Sequence, residues 1–199
     1  MTARLAILIS GRGSNMAAIL KECREGILKG LCEVVLVISN KDSATGLETA
    51  RKAGIPAVCV SSKGKKRREF EVELIESLEP YKPDYIILAG FMRILTPFFI
   101  HRYRNRILNI HPADTARFQG IGGYEWAFEK GLKETKITVH LIDDGVDTGP
   151  VLAQRTVDLR GAETLEEVEK RGLAVERAFY SEVIRDVLTG KIHIQEIQS

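Results

Sequence analysis

Leu5-Ala6-Ile7-Leu8-Ile9 runs into Ser10-Gly11-Arg12-Gly13-Ser14-Asn15 and then into Met16, Ile19, Leu20 and Cys23. Five consecutive apolar residues mark a strand buried on both faces. After the glycines the apolar positions fall three and four apart, which is the spacing of one helix face. A strand, a glycine turn and a helix in that order open a βαβ unit. This order predicts a sheet with helices on both faces.

The alternation continues along the chain. Apolar runs at 33–39, 57–60, 85–89, 106–110, 137–142 and 151–157 read as strands. Helical spacing appears at 45–53, at 67–78 through Phe70, Leu74 and Leu78, from Pro97 to Tyr103, at 124–130 and at 164–188. Pro80 and Pro83 end the second of these helices, and Gly54 and Gly131 stop two others. The expected fold is α/β, a doubly wound, mostly parallel, Rossmann-like sheet in a single domain over 1–199. Ligands in such sheets sit beyond the carboxyl ends of the strands. The motifs below all follow strands, and that shared placement predicts that they converge.

Lys and Arg number 29 against 27 Asp and Glu, a formal charge of +2. So small an excess gives no support to nucleic-acid binding. The one basic run, Lys63-Gly64-Lys65-Lys66-Arg67-Arg68, reads mostly as a solvated loop, with attraction of an anionic substrate tail as the sharper alternative. Cys23, Cys32 and Cys59 are odd in number and form no Cys-x-x-Cys, so neither a disulfide framework nor structural zinc is expected. No apolar stretch approaches the ~18 residues of a membrane span, and no leader cleavage site is evident. A cytoplasmic protein without membrane association is expected.

Gly11-Arg12-Gly13-Ser14-Asn15 suits an anion, since glycines expose N–H groups at a helix N-terminus. The plainer alternative is a turn capped by Ser14. No Gly-Lys-Ser/Thr follows, Met16 stands at the third glycine of a dinucleotide fingerprint, and Ser39-Asn40-Lys41 brings no acid for a ribose. In Asn109-Ile110-His111-Pro112, strand alternation puts the carboxamide and the imidazole on one side. Asn can donate to an oxyanion and His can move a proton near neutral pH. The loop Asp143-Asp144-Gly145-Val146-Asp147-Thr148-Gly149-Pro150 offers three carboxylates, any one of which could partner His111. Its spacing is wrong for an EF-hand calcium loop, and no metal is expected. His140, between Val139 and Leu141, reads as structural, while His101 and His193 carry no assignment.

Together these segments resemble the phosphoribosylglycinamide formyltransferase family, folate-dependent enzymes of purine synthesis. The resemblance runs from Leu5 to about Tyr180. It rests on 9–15, on Leu88-Ala89-Gly90-Phe91-Met92-Arg93-Ile94-Leu95, on Asn109-Ile110-His111-Pro112 and on 144–150. It implies transfer of a formyl group from 10-formyltetrahydrofolate, a cosubstrate, to the amine of glycinamide ribonucleotide. Asn109, His111 and Asp147 would be catalytic, with protonated His111 held so by Asp147. Gly13, Ser14, Asn15 and Glu176 would hold the nucleotide. Arg67, Met92, Arg93, Ile94 and Leu95, together with Asn109, Asp143, Asp144 and Asp147, would hold the folate. Partners would be these small molecules alone, in a monomer or homodimer.

The chain departs from the family pattern at Ala113-Asp114-Thr115-Ala116-Arg117-Phe118-Gln119-Gly120-Ile121-Gly122-Gly123. The usual second proline is missing, Gly122 stands where a histidine is common, and Gly122-Gly123 is expected to add flexibility. The alternatives are a formyltetrahydrofolate hydrolase-like enzyme, a non-catalytic nucleotide or phosphate binder, and an NAD oxidoreductase. A methionyl-tRNA formyltransferase is expected to need a further RNA-binding domain.

Overall fold

A computed structural model describes residues 2–194. Its strands are β1 (Ala3–Ile9), β2 (Cys32–Ser39), β3 (Ala57–Cys59), β4 (Tyr85–Leu88), β5 (Ile107–His111), β6 (Glu134–Leu141) and β7 (Val151–Asp158). Its helices are α1 (Ser14–Glu25), α2 (Thr45–Lys52), α3 (Arg67–Leu78), α4 (Pro97–Arg102), α5 (Gly123–Glu129) and α6 (Leu165–Leu188). The strands form one sheet in the order β3-β2-β1-β4-β5-β6-β7. The first five are mutually parallel, and β6 and β7 are antiparallel additions. The doubly wound, mostly parallel α/β sheet expected from the sequence is therefore present.

Both faces of the central strands are dry. Leu5, Ile7 and Ile9 pack with Met16 and Ile19 of α1, Leu47 of α2, Tyr124 of α5, and Phe179 and Val183 of α6. Ala6 and Leu8, pointing the other way, pack with Phe70 and Leu74 of α3 and Phe99 of α4. Each fully buried Leu or Ile contributes about 1.5–3 kcal/mol, which is why the continuous apolar run was so clear a strand signal. The Tyr180 hydroxyl of α6 lies 2.8 Å from the Leu108 carbonyl and 3.1 Å from that of Leu88. It thereby pins the long helix to the end of β4 and the start of β5, one residue before Asn109.

Two features differ from the sequence expectation. β6 begins at Glu134 rather than 137; its first three residues, Glu134-Thr135-Lys136, are polar and so fall outside the apolar run, although Thr135 is buried. More consequentially, β6 runs against β5, with His111 opposite Thr138 and Leu108 opposite Leu141. The Asp147 loop therefore leaves the sheet at the level where β5 begins, not beyond a carboxyl end shared with β1, β4 and β5. The β5–β6 connection is long enough for a parallel crossover, so the reversal is set by how β6 pairs with β5 and β7 rather than by the length of the connection. Among the described residues no helix is long and apolar enough to cross a membrane.

Candidate active site

Leu108 and Ile110 point into the α6 side of the core, so alternation turns Asn109 and His111 to the opposite face of β5. There they meet Asp147. One Asp147 oxygen lies 3.4 Å from His111 Nδ1 and accepts the Gly120 backbone N–H at 2.8 Å. The other lies 3.4 Å from Asn109 Nδ2 and 3.3 Å from His140 Nε2. The 142–150 loop reaches this point by doubling back along the sheet. Gly149 makes that return feasible, since a Cβ there would stand 1.9 Å from the Leu141 carbonyl oxygen. Asp147 itself adopts a left-handed φ of 53°.

The geometry separates the three loop aspartates. Asp143 accepts from the Thr148 hydroxyl at 2.7 Å and the Gly145 N–H at 3.1 Å, bracing its own turn. Asp144 pairs with His101 at the end of α4, 3.1 Å away. Only Asp147 turns inward to Asn109 and His111.

His140 is the residue sequence reasoning passed over. It is 1 % exposed and stands opposite Asn109 across the β5–β6 ladder. Its Nδ1 lies 2.8 Å from the Leu141 carbonyl, which requires a proton on Nδ1 and leaves Nε2 as the acceptor. Asn109 Nδ2 donates to that Nε2 at 3.1 Å. This chain of bonds fixes the Asn109 amide, because the flipped amide would set its oxygen against both Nε2 and the Asp147 carboxylate. Only the strand register could have signalled the role of His140, and register was not legible.

Burial pushes the His111 imidazole below its ordinary pKa, outweighing the opposing charge of Asp147 and the Phe118 carbonyl. Asp147 acts toward the imidazolium, as expected, but burial acts more strongly in the other direction. Burial pushes the Asp147 carboxyl up, but its contact with His140, the Gly120 N–H and the nearby His111 outweigh that and hold it below the usual range. His111 Nε2 faces the Phe118 carbonyl at 3.0 Å.

The glycine loop lies at the head of α1. Gly13, at φ 71°, is the N-cap and Ser14 the first helical residue, one position earlier than the Ser14 cap expected. Gly46 of α2 packs against the loop and its N–H binds the Gly11 carbonyl at 3.1 Å. The first N–H to close a helical bond is that of Ala17, to Gly13, so the N–H groups before it stay available to an anion. Asn15 donates to Glu176 of α6 at 2.6 Å. The Ser10 hydroxyl donates to Asn40 at 2.6 Å and accepts the Met92 N–H at 2.7 Å, joining this loop to the 90–95 segment.

Of the folate-site expectations, Met92 and Ile94 are exposed, Leu95 is buried in the α3–α4 core, and Arg67 is exposed at the start of α3. The Arg93 guanidinium lies 5.3 Å from the Phe70 ring centre. Met92, Ile94, Ile121 and Val146 are large apolar side chains left exposed on the three loops around Asn109. The 113–123 departure is well braced. Asp114 binds Lys136 at 2.8 Å and Gln154 at 3.1 Å, and Phe118 stacks on Trp126. Gly122, at φ 90°, caps α5, and a Cβ on Gly123 would stand 2.8 Å from the Pro112 carbonyl. The two glycines answer a tight turn rather than a loose one.

Asn109, His111 and the Gly120 N–H converge on the Asp147 carboxylate beside an open helix N-terminus in a doubly wound sheet, an arrangement that suits an enzyme site for an anionic substrate. The chain belongs to the formyl transferase family, whose model matches residues 3–184. It is 38% identical over 193 residues to the phosphoribosylglycinamide formyltransferase of Escherichia coli, covering 96% of this chain and 90% of that protein. It is 42% identical over 169 residues, 84% of its length, to the trifunctional purine biosynthetic protein adenosine-3 of Drosophila pseudoobscura pseudoobscura, of which it spans only 12%. Glycinamide ribonucleotide transformylase 1 from Symbiobacterium toebii shares its structure with a TM-score of 0.91 at 38% identity, covering 98% of this chain and 91% of that one.

Proposed function

We propose that this protein transfers a formyl group from 10-formyltetrahydrofolate to the amine of glycinamide ribonucleotide. The observation that carries this reading is the Asp147 carboxylate in contact with Asn109 and His111 at the end of β5. The anion-ready head of α1 suits the ribonucleotide phosphate. The exposed apolar side chains of Met92, Ile94 and Val146, with the Arg67 cation, suit a flat heteroaromatic group carrying a carboxylate tail. The folate supplies the formyl group, and the chain supplies position, hydrogen bonds and a proton.

As the amine adds to the formyl carbon, charge develops on the formyl oxygen. Asn109 has one short bond, to His140, and one long bond, to Asp147. The N–H of the long bond is the one free to turn to that oxygen. His111 Nε2 reaches the same centre once the Phe118 carbonyl draws aside. In its neutral form with the proton on Nδ1 beside Asp147, His111 takes up at Nε2 the proton the amine loses, directly or through water, and Asp147 stabilises the imidazolium as it forms. The imidazolium then hands the proton to the departing nitrogen. Removing one oxyanion donor typically costs about 10²–10³ in rate.

The test is product analysis with purified protein. Formylated nucleotide is expected only with glycinamide ribonucleotide present, and Asn109→Ala, His111→Ala and Asp147→Asn are expected to abolish most of it. Release of free formate independent of the nucleotide would instead favour a hydrolase. The free thiols of Cys23, Cys32 and Cys59 accord with work in the cytoplasm.

A further inference from the structure

Behind the nucleotide end of the site, three elements meet on one buried carboxylate. Glu176 of α6 is 5 % exposed and Tyr124 of α5 is 8 % exposed. The Tyr124 hydroxyl donates to Glu176 Oε1, and the Asn15 carboxamide at the head of α1 donates to Oε2 at 2.6 Å. Tyr124 gets there through a notch. A Cβ on Gly172, one turn before Glu176, would stand 2.1 Å from a carbon of the Tyr124 ring. Any larger residue at 172 would evict the ring.

The carboxylate also settles the orientation of Asn15. Nδ2 must face Glu176, because the flipped amide would set oxygen against oxygen. That leaves Oδ1 of Asn15, which is buried and has no partner. A buried acceptor without a donor is unfavourable, and here it stands at the helix N-terminus whose N–H groups are open to an anion. A ligand that carries a phosphate and a neighbouring hydroxyl or N–H would satisfy both.

We propose that Tyr124, seated in the notch at Gly172, is a positioning residue that holds the Glu176 carboxylate against Asn15, so that Asn15 Oδ1 stays aimed at a hydrogen-bond donor of the phosphate-bearing substrate. This rests on the reading that glycinamide ribonucleotide is that substrate. Tyr124 touches no reacting atom. Its hydroxyl favours the ionised form of Glu176, whose carboxyl burial otherwise pushes up; Asn15 and Arg177 act in the same sense as Tyr124. Tyr180 on the same helix is the other titratable group that feels this charge, and Glu169 acts on Tyr124. A protonated Glu176 could donate to Asn15 Oδ1, and the amide would lose its fixed orientation.

The experiment removes only the hydroxyl, with Tyr124→Phe. The expected result is a KM for glycinamide ribonucleotide raised about tenfold, the change that loss of roughly one hydrogen bond to a charged group produces. The kcat is expected to stay within about twofold, and the KM for 10-formyltetrahydrofolate to be unchanged. The rise in KM on acidification is expected to begin at higher pH in the variant, since the charged form has lost a donor. In a Glu176→Gln background, the same substitution is expected to add less than about twofold. Should Tyr124→Phe fail to fold, Gly172→Ala carries the test, with the same split expected. An unchanged KM, a fall in kcat at constant KM, or a tenfold effect that persists without the carboxylate would overturn the proposal. Calorimetric titration with glycinamide ribonucleotide reads the same loss as a Kd. A wild-type protein that binds the nucleotide but makes no formylated product would refute the assigned reaction and leave this arrangement testable.

Discussion

One oxygen of Asp147 lies 3.4 Å from Nδ1 of His111, and both side chains are largely closed off from solvent, at 12 % and 4 % exposure. A carboxylate and an imidazole at that separation form a pair whose charge state each controls for the other. Burial works against the charged imidazole, and the carboxylate works for it.

Asp147→Asn keeps the shape of this contact and removes its charge. His111 loses the group that opposes its desolvation, so its pKa is expected to fall further. A kcat lowered by about 10²–10³ is expected, with the His111 limb of the kcat/KM profile moved to lower pH. A profile that keeps its position would disconnect the two residues.

His140→Phe keeps an aromatic ring, somewhat larger than the imidazole, and removes the acceptor for Asn109. The Asn109 amide is left with only its long bond to Asp147, and the Leu141 carbonyl loses its donor. A loss of stability of about 1–3 kcal/mol is expected for the stranded polar groups, together with a fall in kcat of about tenfold or more as the amide reorients. Denaturant unfolding and steady-state kinetics read the two effects separately. Retained activity would mean that Asn109 is oriented by Asp147 alone.

Stability is expected to fall as the solution is made more acid from neutrality. The unfolded chain binds a proton on His111 near pH 6.5, whereas the folded chain holds that imidazole at a lower pKa. Between those values the unfolded state carries more protons, so acidification favours it. Glu176, whose folded carboxyl is raised, works in the opposite sense at lower pH, above about 4.5. The comparison that isolates His111 is the slope of unfolding free energy against pH in wild type and in His111→Gln, measured between pH 8 and pH 5.5. A wild-type slope no steeper than that of the variant would contradict the depressed imidazole.

Gly149→Ala places a methyl group against the Leu141 carbonyl, where backbone rather than a pliable side chain must give way. Destabilisation of about 1–3 kcal/mol is expected. The kcat is expected to fall with it, because the same loop carries Asp147. A variant as stable and active as the parent would show that the loop can re-form with Asp147 in place.

Much of this architecture could be read from residue patterns. The run Leu5 to Ile9, the glycine turn and the spacing Met16, Ile19, Leu20 report buried strand, turn and amphipathic helix, each a local geometric property. Asn109 and His111 share a strand side for the same reason. The direction of β6 was not readable, because a connection of its length serves a parallel or an antiparallel strand alike and only the pairing with β5 and β7 decides between them. The selection among Asp143, Asp144 and Asp147 by contact, and the entry of His140, both depend on that direction and on the β5–β6 register. Glu176 was named by resemblance, but its bond to Asn15 joins positions 161 apart, and its bond to Tyr124 requires the missing side chain at Gly172.

By itself, then, the sequence determined a doubly wound sheet, a glycine loop at a helix head and a carboxamide–imidazole pair on one strand. Each of these follows from the two- or 3.6-residue period of the chain's own backbone. The tertiary structure alone decided that one carboxylate joins Asn109, His111 and His140, and that another joins Asn15 to Tyr124. Contacts of that kind form between segments whose separation along the chain carries no periodic signal, and they are set by strand direction, register and the packing of whole helices against the sheet.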